Sequence, residues 1–142
     1  MNLLRQRVVV DTGPLVAFVN RRDNQHQAAT ELFLRASPPV FCCAAVLTEV
    51  CFLVRSVPSG PTKVLELCLR GVLQLPYNEG ADLPALATLI AKYHTVPMSF
   101  ADACLIRMLE LGHGEVLATF DSDFLVYRLG GKAEVPLVGF DV

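Results

Sequence analysis

The sequence has few of the residues that common metal and redox motifs use. It contains no tryptophan, and its three histidines are scattered, without the His-x-x-x-His pairing typical of zinc sites. Its five cysteines are an odd number, lack Cys-x-x-Cys spacing, and all lie in apolar stretches. These absences argue against a zinc site and a disulfide framework, and they favour buried free thiols in a reducing compartment.

Charged residues are also scarce, at 18%, whereas hydrophobic residues make up 53% of the 142 residues. This balance excludes a disordered chain and predicts a single domain over residues 1–142. No apolar stretch is suited to crossing a bilayer, since the longest, residues 40–54, contains Glu49. The N-terminal apolar stretch is too short for a signal peptide, so we expect a cytoplasmic protein without a membrane anchor. Surplus apolar surface predicts a homodimer or another partner interface.

The formal net charge is −2, which is not the basic excess of a general nucleic-acid binder. A cluster of carboxylates that holds cations would lower the net charge, while basic residues elsewhere on the surface still attract phosphate. The overall charge therefore does not exclude a nucleic-acid substrate.

Strand-like and helix-like segments alternate along the chain. Asp23 and Asp82 occupy positions suited to helix N-caps, and Gly112 is suited to ending a helix. Such alternation predicts a parallel sheet with helices on both faces, which binds ligands beyond the carboxyl ends of its strands. The predicted strands are 8–10, 40–43, 72–75, 116–119 and 135–138, and the main predicted helices are 24–36, 44–55, 62–70, 83–96 and 99–111. A short helix is also predicted at 14–18 and a helical turn at 124–128.

Three acids follow predicted strands and should lie at this carboxyl edge. Asp11 comes directly after the first strand, and Asp121 and Asp123 follow the fourth. Each could instead serve as a turn or cap residue, because aspartate is common where strands lead into helices. Of the three, we expect Asp123 to cap the next helix or support its neighbour.

Two further acids lie in predicted helices. Asp102 is the third residue after Ser99, a spacing that matches a capping box but also holds a carboxylate rigidly at a helix start. Glu49 lies in the apolar segment 44–54, so we expect its carboxylate to be buried or to lie in a cleft. If these acids converge with those at the strand ends, their hard oxygen ligands favour Mg²⁺ or Mn²⁺, and the chemistry they suggest is phosphodiester hydrolysis.

Four segments resemble the motifs of PIN-domain ribonucleases, best known as the VapC toxins of VapBC toxin-antitoxin pairs. The resemblance extends over nearly the whole chain, in order and spacing. One departure is Ser99, where similar sequences often carry another acid. The segments are Val8–Leu15, Leu47–Val50, Pro97–Leu105 and Leu117–Phe124.

The resemblance implies an α/β/α sandwich around a mainly parallel sheet of four to five strands, and a Mg²⁺- or Mn²⁺-dependent endoribonuclease. It also implies an RNA substrate, frequent dimers and, in many members, a small antitoxin protein as partner. The catalytic, metal-binding acids that it implies are Asp11, Glu49, Asp102 and Asp121, with support from Thr12, Thr119 and Asp123.

Two other functions are compatible with parts of the pattern. A catalytically silent module could bind RNA or protein through the same fold, although all four principal acids are present. An aspartyl phosphohydrolase would use Asp11 as nucleophile, but Gly13 stands where its proton donor is required.

Arg21, Arg22 and Arg107 are candidates for holding substrate phosphates by position alone.

Overall fold

A five-stranded parallel sheet forms the centre of the protein. The computed structural model describes residues 6–139. Its strands are β1 (Val8–Val10), β2 (Val40–Phe41), β3 (Leu73–Gln74), β4 (Val116–Ala118) and β7 (Leu137–Val138). Their order in the sheet is β3-β2-β1-β4-β7, and every neighbouring pair is parallel.

Strands β1 and β4 are buried along their whole lengths and lie side by side in the middle of the sheet. Val9 is paired with Leu117, and both are fully buried. Continuous apolar runs are what a parallel strand needs when helices cover both of its faces. Because β1 and β4 are adjacent and parallel, the residues that follow them meet at one edge of the sheet.

Over residues 6–139, six α-helices flank this sheet and complete a three-layer α/β/α sandwich, as predicted. The last long helix ends where Gly112 adopts a positive φ of 81°, a conformation that glycine tolerates without a Cβ clash. The helices are α1 (Thr12–Val19), α2 (His26–Ala36), α3 (Ala44–Leu53), α4 (Gly60–Leu69), α5 (Leu83–Lys92) and α6 (Phe100–Glu110).

Two predicted helix caps are wrong. Asp23 lies outside α2, where its carboxylate accepts a hydrogen bond from the Gln25 amide at 2.8 Å, and the helix begins at His26. Asp82 makes no side-chain cap, because its carboxylate binds the Arg107 guanidinium. In both cases a competing hydrogen bond takes the oxygen that a cap would use.

The C-terminal part contains a hairpin that the sequence did not predict. Strands β5 (Arg128–Leu129) and β6 (Ala133–Glu134) pair antiparallel outside the main sheet. The predicted helical turn at 124–128 is a 3₁₀ turn at Ser122–Leu125, since Arg128 already belongs to β5. These strands are too short for the alternating pattern that makes strands recognisable.

The surface retains much apolar area, as the composition suggested. Leu34, Leu69 and Leu125 are each at least 60% exposed.

Cys42, Cys43 and Cys104 are buried free thiols, whereas Cys51 and Cys68 are only partly buried. Within residues 6–139, no helix combines the length and apolar character needed to span a membrane.

Candidate active site

An open cleft of about 450 Å³ lies at the carboxyl edge of the sheet. The turn after β1, the middle of α3, the start of α6 and the turn after β4 all contribute to it. It contains every acid selected from the sequence. The lining residues are Asp11, Thr12, Gly13, Glu49, Pro97, Ser99, Asp102, Phe120, Asp121 and Asp123.

Asp11 is the most buried acid in the cleft, with 7% of its surface exposed. Its Oδ1 accepts the Thr12 amide at 2.7 Å, and its Oδ2 accepts the Thr119 hydroxyl at 2.7 Å. Burial nevertheless dominates and raises the pKa of Asp11 from 3.8 to about 6, because a carboxylate loses its hydration there. Both oxygens are engaged by donors, which suits a rigid ligand better than a nucleophile.

Thr119 connects the acids that follow the two central strands. Its buried hydroxyl donates to Asp11 and accepts the Asp121 amide at 3.0 Å. The backbone of Gly139 packs against this position, and a Cβ there would lie 2.2 Å from the Thr119 carbonyl oxygen. The requirement for Gly139 was not predicted, because the contact exists only once β4 and β7 are adjacent.

Asp102 is held from two sides at the start of α6. The Asp102 amide donates to the Ser99 hydroxyl at 3.0 Å, which is the predicted N-cap bond. The phenol of Tyr127 donates to Asp102 Oδ2 at 2.9 Å. Burial and the nearby charge of Asp121 raise the pKa of Asp102, although the bonds from Tyr127 and Ser99 oppose this shift. Tyr127 was not selected from the sequence.

The carboxylates of Asp102, Asp121 and Asp123 form the compact part of the site. Among the described residues, one oxygen from each lies within 4.8 Å of the others. The Asp123 amide also donates to Asp121 Oδ1 at 2.9 Å, so Asp121 caps the 3₁₀ turn that Asp123 was expected to cap. Asp11 lies in the same cleft and adds to the electrostatic repulsion.

Glu49 lies at the open side of the cleft. Its Oε2 accepts the Thr12 hydroxyl at 2.9 Å, which links α3 to the start of α1. The expectation that Glu49 is buried or lies in a cleft is met by the second alternative, since its exposed side chain lines the cleft. Its apolar neighbours do not bury it, because α3 leaves Phe52 and Leu53 at least 54% exposed.

The cleft is strongly negative, because five carboxylates line it and no basic side chain among residues 6–139 does. The whole chain has 14 acidic residues and 12 arginines and lysines. Within residues 6–139, eight acids lie outside the cleft, against 11 arginines and lysines. The net charge of −2 therefore combines an acidic cleft with an excess of basic residues over the rest of the described chain.

Arg107, one of the candidate phosphate ligands, is fully engaged elsewhere. Its guanidinium contacts Asp82 at 2.7 and 3.1 Å and Glu110 at 3.1 Å. Tyr77 also donates to Asp82. Hydrogen bonds from Arg107 lower the pKa of Asp82, as expected for a partly buried ion pair.

A second group of possible ligands was not predicted. One atom each from Cys43, Glu79 and Cys104 lies within 4.8 Å of the others. Glu79 Oε1 also accepts a hydrogen bond from the Ala44 amide at 2.9 Å, and so provides an acceptor for an N–H group at the start of α3. The two thiols are buried and adjacent, and this packing accounts for the cluster without a ligand.

The fold and the site together define an α/β/α protein with an acidic cleft at the carboxyl edge of a parallel sheet. The model of the PIN domain matches residues 8–129, and the chain belongs to the PIN-domain family. No curated protein sequence matches the chain significantly.

A solved structure with the same fold is Mycobacterium tuberculosis VapC20, described as a toxin that cleaves the sarcin-ricin loop. The two chains share 24% sequence identity, and the TM-score is 0.72. The alignment covers 91% of this chain and 98% of VapC20. At this identity the similarity establishes the shared fold.

Proposed function

We propose that this protein is a VapC-like endoribonuclease that hydrolyses RNA phosphodiester bonds with the aid of Mg²⁺ or Mn²⁺. The observation that carries the proposal is the convergence of five carboxylates from four parts of the chain on one open cleft, which no basic side chain of the described residues lines. Membership of the PIN family and the fold shared with an RNA-cleaving toxin support the same reaction.

The donor set fits a hard divalent cation. The grouped atoms of Asp102, Asp121 and Asp123 are all carboxylate oxygens, which Mg²⁺ and Mn²⁺ prefer over thiol or imidazole ligands. Asp11 and Glu49 complete the proposed ligand and catalytic set, together with Asp102 and Asp121. When bound, such an ion would activate water and neutralise charge on the scissile phosphate.

The protein's own residues orient these acids. Thr119 fixes both Asp11 and the Asp121 amide, Thr12 holds Glu49, and Tyr127 holds Asp102. Such outer hydrogen bonds keep carboxylates in place and stabilise their ionised forms. We assign Thr12, Thr119 and Tyr127 this positioning role, and we assign Asp123 a supporting role, since its carboxylate lies beside those of Asp102 and Asp121.

We further propose that residues 1–142 form one nuclease domain that acts in the cytoplasm. The exposed leucines provide apolar surface for a homodimer or a small antitoxin protein. Sedimentation of the purified protein at several concentrations tests the dimer, and copurification with the product of a neighbouring gene tests the antitoxin.

The central experiment incubates purified protein with RNA in Mg²⁺ or Mn²⁺. The substrates are single-stranded RNA and a stem-loop with the sarcin-ricin sequence, and the controls are EDTA and Asp102→Asn. We expect cleavage that requires the metal and disappears in the variant. Absence of cleavage, despite calorimetric evidence that the metal binds, would overturn the proposal and favour a catalytically silent module. Cleavage that persists in Asp102→Asn would indicate a contaminant.

A further inference from the structure

A groove with basic walls lies between the end of α1 and helices α3 and α4. It consists of two adjoining cavities of about 710 and 220 Å³, which share Val19, Arg21 and Lys63. Arg22 lines the larger cavity and Arg70 the smaller one. We call this feature the basic groove. Among the described residues, the one acid that lines it is Glu66, which pairs with Arg70 at 3.9 Å.

The cations of this groove differ from most others in the protein. Within residues 6–139, the side chains of Arg21, Arg22, Lys63, Lys92 and Lys132 make no hydrogen bond or ion pair, and of these Lys92 lies over the Tyr93 ring, 5.3 Å from its centroid. The first three of these lie in the basic groove and are exposed. Other guanidinium groups are engaged, for example Arg107 with two carboxylates and Arg128 with three carbonyl oxygens. Basic side chains without a hydrogen bond or ion pair are therefore concentrated in the basic groove.

The basic groove continues the acidic cleft along two helices. On α3, Glu49 in the cleft and Leu53 in the groove are four residues apart and so share a face. On α1, Thr12 in the cleft and Val19 in the groove are two turns apart on one face, a rise of about 10 Å. The hydrogen bond between Thr12 and Glu49 joins the helices at the cleft end.

The length and charge of this path fit a nucleic-acid strand. A stacked strand advances about 3.4 Å per nucleotide, so the groove begins about three nucleotides from the cleft. Both arginine and lysine bind phosphate well, and contacts to phosphate position a strand without reading its sequence. An acidic protein segment would also match the charge, but it would not explain why the path leads into the cleft.

We propose that the basic groove binds backbone phosphates of the RNA strand on one side of the scissile bond. Arg21, Arg22 and Lys63 are the phosphate ligands. This inference rests on the proposed ribonuclease function, and it identifies a surface outside the cleft that contributes to the affinity for RNA. It predicts that the groove affects the KM for RNA and leaves kcat unchanged, because its side chains lie away from the reacting atoms.

Lys63 and Lys132 form a matched pair for the test, since both are exposed lysines without a partner and only Lys63 lines the groove. Each is changed to glutamine in the full chain carrying Asp102→Asn. Binding of a fluorescent single-stranded RNA is then measured by anisotropy in EDTA across a salt series. We expect Lys63→Gln to weaken binding about fivefold at low salt and to reduce the log–log salt slope by about 0.7. Adding Arg21→Gln should double the loss of slope, whereas Lys132→Gln should change affinity less than twofold, which is about 0.4 kcal/mol.

Equal affinities and slopes for the Lys63 and Lys132 variants would overturn the inference. In a second set of measurements, binding of a fluorescent polyglutamate peptide represents binding of an acidic protein partner. If Lys63→Gln weakens binding of the peptide and leaves RNA binding unchanged, the groove belongs to an acidic protein partner instead.

The experiments test the proposed ribonuclease activity and the RNA-binding role of the basic groove independently of each other. Binding is measured without metal and without turnover, so it does not depend on cleavage. In the otherwise unchanged enzyme, Lys63→Gln and Arg21→Gln should raise KM at constant kcat. If RNA is cleaved and the KM of these variants is unaltered, only the RNA-binding role of the groove is disproved. If RNA is not cleaved but the salt slopes are as expected, only the ribonuclease activity is disproved.

Discussion

The Tyr127 phenol donates a hydrogen bond to Asp102 Oδ2 at 2.9 Å, across 25 positions of sequence. The Tyr127 ring is buried and packs edge-to-face against Phe124, with centroids 5.2 Å apart, and against Tyr93, at 5.1 Å. This packing holds the hydroxyl in place. The orientation of a proposed metal ligand therefore depends on an aromatic cluster behind the cleft.

Tyr127→Phe should weaken metal binding and activity while preserving the aromatic packing. Without the phenol, the pKa of Asp102 rises further, because one bond that favours its charged form is lost. We expect activity to fall about tenfold, as for outer hydrogen bonds at metal sites, and the acid limb of the pH–rate profile to move to higher pH. Tyr93→Phe is the control, since the Tyr93 hydroxyl accepts the Arg128 amide and does not contact Asp102. Identical pH profiles for the two variants would contradict this role.

Glu49→Gln should reduce Mg²⁺ affinity about tenfold without unfolding the protein. The side chain is exposed, and glutamine retains an oxygen that can accept the Thr12 hydroxyl. Isothermal titration with Mn²⁺ or Mg²⁺ measures the loss, and thermal unfolding in EDTA should show an unchanged Tm. Glu31→Gln, on the exposed surface of α2, is the matched control. An active variant with normal metal affinity would remove Glu49 from the site.

The metal-free protein should lose stability as the pH rises through about 6. Because burial raises the pKa of Asp11 from 3.8 to about 6, the folded state keeps a proton that the unfolded state releases in this interval. The free energy of unfolding contributed by Asp11 is therefore full below about pH 4 and lost above about pH 6.

Asp11→Asn tests this dependence. It should stabilise the metal-free protein by about 1 to 3 kcal/mol at pH 8 and have little effect at pH 4, apart from altered hydrogen bonding to Thr119. Urea unfolding in EDTA at both pH values gives the comparison. A stability difference between wild type and variant that does not change with pH would show that Asp11 titrates normally.

Arg107→Gln should destabilise the fold and spare RNA binding. The change breaks the contacts with Asp82 and Glu110, whose side chains are 18% and 16% exposed. We expect the free energy of unfolding to fall by about 2 kcal/mol, the usual range for hydrogen bonds to charged groups. Urea unfolding measures this loss, and the anisotropy assay should give the RNA affinity of the unchanged protein. A large loss of RNA affinity in the folded variant would return Arg107 to the candidate phosphate ligands.

Local signals in the chain were strong enough to predict the central fold. The apolar runs at Val8–Val10 and Val116–Ala118, each followed by acids, predicted buried parallel strands with carboxylates at their ends. Ser99 and Asp102 predicted a helix start that the structure contains. These predictions succeed because strand burial, turn chemistry and N-caps depend on neighbouring residues.

The predictions that failed depended on distant partners. Asp82 and Arg107 resembled a cap and a phosphate ligand, yet they bind each other across 25 positions. The sequence left burial and a cleft open as alternatives for Glu49, because apolar neighbours do not show which face of α3 meets solvent; packing places its exposed side chain in the cleft.

The sequence by itself determined the order of the main-sheet strands and the helices between them, the family motifs and the acids that could form a site, because short-range pattern and residue chemistry carry that information. Only the tertiary structure decided how Thr119 bridges Asp11 and Asp121, how Tyr127 reaches Asp102, and where unpaired cations collect. Those relationships arise when strands and helices distant in sequence pack together, and no local pattern records them.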